Sequence, residues 1–416
     1  MINVWWLLLL LPAAALSGYL AAVRGKARGG GRRELPDAYL RGLNFLLNEE
    51  PDKAIEVFIR AIEVDSDTVE MHLALGNLFR RRGEVERATR IHRNLVARAG
   101  LDRRQRAEAL FELGQDYFKA GLLDRAESLF LELIRYGRHA EQAQRYLLQV
   151  YELEKEWGKA IGAARDLAHR TGADCSAVTA QYHCEIAETA LADGDYETAR
   201  RNAARAVDAD RRCVRATMQL GRIEAALGRH RKAIRTWRRI EEQDARFIGE
   251  VANLVASSYE IINDGEGLDE YLGKAVEKHG HIRLVLALVA RLEKQAGHRQ
   301  AGEFLTNWLR RKPSLEGLRR LLELRVRDAS GDNRGDLELL RTLIERTVEK
   351  ERNYECRNCG FTARSLHWQC PGCKNWNTFL PPSPGVPTFT GPTILTAPDG
   401  GQATAEPRRH PAAASG

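Results

Sequence analysis

A chain of 416 residues has room for two or three domains, and its net charge of +7 with 29% charged residues is basic without being extreme, so charge alone names no partner. Seven cysteines, an odd count with Cys175, Cys184 and Cys213 far apart in helical sequence, argue against a secreted disulfide framework and for a reducing compartment. Those three read as small buried hydrophobes.

Residues 1–23 read as a transmembrane anchor. The 22 residues from Ile2 to Val23 carry no charge, and at about 1.5 Å each they cover about 33 Å, enough for a hydrocarbon core of about 30 Å. A cleavable signal peptide is the competing reading, because Ala13 to Gly18 are mostly small. Such peptides open on Lys or Arg, however, and this chain opens Met1-Ile2-Asn3-Val4-Trp5-Trp6. Arg24, Lys26, Arg28, Arg32 and Arg33 follow at once, so the positive-inside rule keeps the bulk of the chain cytoplasmic and puts the amino terminus across the membrane. Residues 24–35 form a basic tether, and its Gly29-Gly30-Gly31 follows a span and not a strand, so it is a flexible link and not a dinucleotide loop.

Residues 36–352 predict an all-α tetratricopeptide-repeat solenoid. Leu110, Leu113-Gly114 and Tyr117, followed by Ala126 and Phe130, fit that repeat's pattern. Gly76, with Phe79 and Ala88, precedes Gly114 by 38 residues, and Gly42, with Phe45, Ala54 and Phe58, precedes Gly76 by 34, the diagnostic period. Downstream, Leu148, Ala187, Gly221, Ala256 and Val289 take the first-helix position, with Ala160, Ala199, Ala233, Leu268 and Ala301 as their second-helix partners. Small residues twelve apart let two antiparallel helices approach, and stacking closes a core that no pair has alone. This gives eight repeats, a degenerate pair from about Leu315 to Glu351, and a right-handed superhelix whose groove suits partner protein segments. Gly83, Gly121, Gly194 and Gly228 mark turns inside the pairs and Pro313 closes the eighth. Insertions near 98–106 and 171–181 read as surface loops, and Arg80, Arg81 and Arg82 as a solvated cationic helix end. Nothing in the array reads as catalytic: Gly273-Lys274 lacks the rest of a phosphate loop, and the eleven histidines form no H-E-x-x-H.

Residues 353–380 carry the strongest signal. Cys356 and Cys359 in one C-x-x-C, and Cys370 and Cys373 in another, supply four thiolates to one metal ion and leave no open position, so the site builds structure and does no chemistry. Four thiolates suit iron or zinc. Tyr354, Phe361, Leu366, Trp368, Trp376 and Phe379 are many large apolar groups for so short a module. Some form its core, and others face the helices, expected to be the last repeats because no Pro- or Gly-rich linker intervenes. Basic residues are few here (Arg357, Arg364 and Lys374), so nucleic acid is not expected. Residues 381–416, rich in Pro, Gly, Ala and Thr, read as a disordered tail.

The leading span and its basic flank, the repeats, and Tyr354-x-Cys356-x-x-Cys359-Gly360-Phe361 with Leu366-x-Trp368-x-Cys370-Pro371-x-Cys373-x-x-Trp376-x-Thr378 together resemble the lipopolysaccharide assembly protein B family over about residues 1–380. The resemblance implies an inner-membrane adaptor, not an enzyme. Its implied partners are the membrane protease FtsH and the lipid A deacetylase LpxC, whose destruction the adaptor promotes. It also implies a rubredoxin-type site in which Cys356, Cys359, Cys370 and Cys373 hold iron. Lys374 stands where a rubredoxin usually has glycine, which argues against a redox role. A general scaffold for lipopolysaccharide synthesis and transport proteins is the nearest alternative, ahead of electron-transfer and RNA-binding roles, and a homodimer is left open.

Overall fold

The computed structural model describes residues 66–330, 332–350 and 354–381, with isolated helical positions between Arg41 and Val57. The expected anchor, the basic tether and nearly all of the tail lie outside the described residues. Among those described, no helix is long and apolar enough to cross a membrane. The chain divides into two compact units, Met1–Cys175 and Ser176–Gly416.

From Ser66 on, the described residues of the first unit form three antiparallel helix pairs: α1 (Ser66–Arg81) with α2 (Val85–Val96), α3 (Arg103–Lys119) with α4 (Leu123–Tyr136), and α5 (Ala140–Leu153) with α6 (Trp157–Thr171). The small second-helix residues Ala54, Ala88, Ala126 and Ala160 are all fully buried. Opposite them the first helix comes so close that a Cβ on Gly114 would stand 2.8 Å from the Phe130 ring. That distance excludes any side chain and sets the spacing within the pair. In the pair before it His92 takes the ring position, and its Nδ1 lies 2.5 Å from an Asp116 carboxylate oxygen in full burial. Arg80 completes this cluster, 2.9 Å from Asp116 and paired with Glu112. It is therefore locked between two repeats, unlike the solvated cation its arginine run suggests.

The second unit continues with α7 (Ser176–Ala192), α8 (Tyr196–Ala209), α9 (Val214–Ala226), α10 (His230–Arg238) and the short α11 (Ile240–Asp244). A 3-10 turn at Ala245–Phe247 leads into α12 (Ile248–Ile261), α13 (Gly265–His279), α14 (Ile282–Arg311), α15 (Leu315–Asp328) and α16 (Asp332–Lys350). Ala199, Ala233, Leu268 and Ala301 are buried to within 1% of completely, and the Trp237 indole fills the space over Gly221, donating to the Met218 carbonyl at 3.1 Å. In α14 the turn between paired helices has shrunk to one residue, Gly297, whose φ of 83° and ψ of 170° only glycine adopts without strain.

The repeats' inner turns share one device. Gly83, Gly121, Gly194 and Gly228 all have φ between 73° and 83°, and Lys155 and Asn263 take the left-handed conformation at the matching points of two other pairs, at 58° and 54°. Cys184 and Cys213 are buried thiols and Cys175 is half-buried. After α16 the chain forms a small antiparallel sheet from β1 (Tyr354–Cys356), β2 (Thr362–Ala363) and β3 (Phe379–Leu380), with β1 in the middle.

Candidate metal centre and its seat on the repeats

Each cysteine pair straddles a tight turn closed by the backbone. In the first, the Gly360 N–H donates to the Cys356 carbonyl at 2.8 Å and the Cys356 N–H to Phe361 at 2.8 Å; in the second, the Lys374 N–H donates to the Cys370 carbonyl and the Cys370 N–H to Asn375, both at 2.9 Å. The turns are near copies, and both end in a left-handed residue, Gly360 at φ 74° and Lys374 at 60°. The second turn therefore carries a side chain where the first has none, at a cost of about 1–2 kcal/mol.

The two turns bring Cys356, Cys359, Cys370 and Cys373 together, with all four sulfurs within 4.8 Å of one another. Cys356 Sγ and Cys373 Sγ are 3.7 Å apart and Cys359 Sγ and Cys370 Sγ 3.6 Å. A tetrahedron of metal–sulfur bonds of about 2.3 Å has edges of about 3.8 Å, so the donor set fits one tetrahedral ion. The surroundings favour thiolate at Cys356 and Cys373 and oppose it at Cys359, where the Phe361 N–H is outweighed by burial and the Cys356, Cys370 and Cys373 sulfurs, which push the thiol up to about 12. Burial raises the Cys356 thiol, but Thr378, whose hydroxyl lies 3.2 Å from the sulfur, and the N–H groups of Cys359 and Asn358 outweigh it and hold the group down at about 6. The Asn358 side chain and the Asn375 N–H lower Cys373 in the same sense.

Around the sulfurs the ribbon's own core is small: Tyr354, Cys356, Ala363, Cys370 and Phe379, with Leu366 and Cys373 half-buried against it. The other large apolar groups turn toward the helices. Trp368 stacks on Phe247 with ring centroids 5.7 Å apart and planes 16° from parallel, and Trp376 meets Tyr182 edge-on at 6.1 Å. Leu366, Trp368 and Leu380 pack against the largest hydrophobic cluster of the second unit. Phe361 stays outside, 41% exposed.

Polar contacts fix the register of this seat. The Tyr354 hydroxyl donates to Glu250 at 2.8 Å and accepts from Arg283 at 3.0 Å, while Arg283 and Glu250 pair at 2.6 Å. Burial pushes the Tyr354 hydroxyl up to about 12, helped by the Glu250 carboxylate. Burial opposes the Arg283 charge, yet Glu250 and Tyr354 outweigh it and hold the guanidinium above its ordinary range. Farther along, Gln181 donates to the Asn377 side chain at 2.9 Å. The ribbon thus rests on α7, the 3-10 turn, α12 and the start of α14, and not on the last repeats as the short linker suggests. The chain doubles back because the residues that can receive two tryptophans lie there, at Tyr182 and Phe247.

Residues 354–381 match the family model described as the rubredoxin metal binding domain, and residues 39–90 and 184–245 match a tetratricopeptide repeat model. Over 379 residues, 90% of this chain and 97% of the relative, the protein is 35% identical to lipopolysaccharide assembly protein B of Escherichia coli strain K12. The chain belongs to the lipopolysaccharide assembly protein B family. The family member of that name from Haemophilus influenzae strain KW20/Rd is 31% identical over 389 residues, 91% of this chain and 98% of the relative. Among solved structures, MamA from Desulfovibrio magneticus RS-1 is 18% identical, covering 44% of this chain and 97% of its own at a TM-score of 0.29, a likeness too loose to carry an argument.

All four cysteines singled out in the sequence converge at one point in this family member. The seat was not legible beforehand: Glu250 and Arg283 lie 104 and 71 residues from Tyr354, and no local spacing marks them. The surplus of aromatic residues in so short a ribbon was the one available sign that it docks.

Proposed function

We propose that the protein is a non-catalytic scaffold of lipopolysaccharide assembly, built as an anchor over residues 1–23, a tether over 24–35, a repeat array over 36–352, a metal ribbon over 353–380 and a tail over 381–416. Cys356, Cys359, Cys370 and Cys373 hold one ion, iron or zinc, which when bound supplies the cross-link that so small a module needs in order to fold. The observation that carries the reading is the seat: Tyr354, Trp368 and Trp376 join the ribbon to the repeats, so that partners meet a composite surface. Its relatives' name, lipopolysaccharide assembly protein B, supplies the pathway.

On the finer reading the scaffold is an adaptor at the inner membrane, with its bulk on the cytoplasmic face, that brings the deacetylase LpxC to the protease FtsH. The anchor holds the array beside the protease, the groove or the ribbon captures the client, and proximity in the membrane plane raises effective concentration. The test is crosslinking in the protein's own cells followed by identification of what is attached, with a form lacking residues 1–23 as control. Recovery of the protease and the deacetylase, lost without the anchor, supports the adaptor. Recovery of synthesis and transport proteins alone discards it in favour of a general scaffold.

A further inference from the structure

In the first unit an open cavity of about 540 Å³ lies where α3 begins and α4 ends, lined by Asp102, Arg103, Arg104, Tyr136, Gly137 and Arg138. Arg104 and Arg138 are exposed, and neither has an ion-pair partner among the described residues. Arg106 and Arg135, next along the same two helices, have none either. Asp102 is the lone acid of the lining, and it is committed to the helix: its carboxylate accepts from the Gln105 N–H at 2.7 Å in a capping box. Arg103 is held in place, donating to the Tyr136 carbonyl at 3.4 Å with its guanidinium 5.5 Å from the centre of that ring. A cavity walled by three arginines against one carboxylate suits a phosphate, which guanidinium forks grip in pairs of hydrogen bonds.

Topology says which phosphate. The first helices of successive pairs run parallel, so the turns that lead into them, 97–102 and 137–139, lie along one edge of the unit. On the anchor reading, a tether of only 12 residues, 24–35, at most about 40 Å when extended, keeps the array close to the bilayer. The spacing from Gly76 to Gly114 exceeds 34 by four residues, and the turn before α3 ends in Asp102, which lines the cavity. The opposite edge mixes signs, with Arg81 and Arg82 beside Glu84 and Glu86 and, farther on, Lys159 paired with Glu127. There burial, and after it Glu127 and Asp124, pushes the Glu154 carboxyl up.

We infer that this cavity binds the phosphate of an anionic membrane lipid, laying the entry edge of the array against the bilayer. The inference rests on the anchor reading above. Its test places the full chain in lipid nanodiscs of phosphatidylcholine alone or mixed with phosphatidylglycerol and follows backbone hydrogen exchange. Phosphatidylglycerol is expected to slow exchange severalfold in residues 97–106 and 135–139, and the Arg104→Gln/Arg138→Gln variant to lose that protection while staying helical. Equal exchange in the two discs overturns the inference, as does equal protection by inorganic phosphate in phosphatidylcholine discs, which would make the cavity a soluble-phosphate site. If the chain enters neither disc, the anchor reading has failed and flotation on phosphatidylglycerol vesicles tests the cavity by itself. Binding roughly thirtyfold weaker in the double variant, about one surface charge's attraction per arginine, then supports the site, and binding that is absent or unchanged discards it.

Discussion

The repeat array and the metal ribbon bury apolar surface on different plans. Most helix pairs in the array contribute a fully buried small residue, such as Ala126 or Ala233, and some add a large neighbour, such as Phe130 or Trp237, while stacking makes every pair lean on the next. The ribbon has strands of three, two and two residues and a core of five buried side chains. Stability in the array is spread along the chain. In the ribbon it is concentrated in four sulfurs and one seat, so the two regions should respond to damage differently.

The largest effect is expected from Cys356→Ser combined with Cys359→Ser. Removing half of the donor set forfeits the metal-linked folding energy of the ribbon, on the order of 10 kcal/mol. Amide protection over 354–381 should vanish while the helical circular dichroism persists; a ribbon that stays protected would show that its seat alone folds it. Trp237→Ala strikes the array instead and should cost about 3–5 kcal/mol, seen as a lower thermal midpoint. A loss below about 1 kcal/mol would mean that neighbouring repeats absorb the cavity.

A third test lies where the two regions meet. Burial, with the Arg283 charge adding to it, holds the His281 imidazole down at about 4 against 6.5 unfolded, and its Nδ1 accepts the Arg283 N–H at 3.2 Å. Between those values the unfolded chain binds more protons than the folded one. Stability is therefore whole above pH 6.5 and falls as pH drops toward 4, by about 3 kcal/mol at most. Denaturant midpoints across that window should slope in the native protein and flatten in His281→Asn; parallel slopes would assign the acid sensitivity elsewhere. The smallest effect is expected from Lys374→Gly, which relieves a left-handed lysine and should strengthen the ribbon by about 1 kcal/mol, read as slower metal loss to a chelator. Faster loss would mean that the lysine side chain makes a stabilising contact.

Much of this protein is written locally. The repeats are legible because a small residue on one helix recurs twelve positions before a small residue on the next, a rule that the buried Ala54, Ala88, Ala126, Ala199 and Ala233 follow and that Ala160 and Ala301 keep on the second helix alone. The four cysteines are legible because a tight turn allows one spacing for two ligands. Local spacing is silent where distant residues converge. Arg80 reads as a surface cation until Glu112 and Asp116, more than thirty residues away, close around it. The left-handed turns at Lys155 and Lys374 are hidden because lysine does not advertise that conformation as glycine does. The ribbon's resting place on Tyr182, Phe247, Glu250 and Arg283 belongs wholly to the tertiary structure, since an aromatic surplus announces that a module docks, and only the folded array decides which surface has the matching rings and charges.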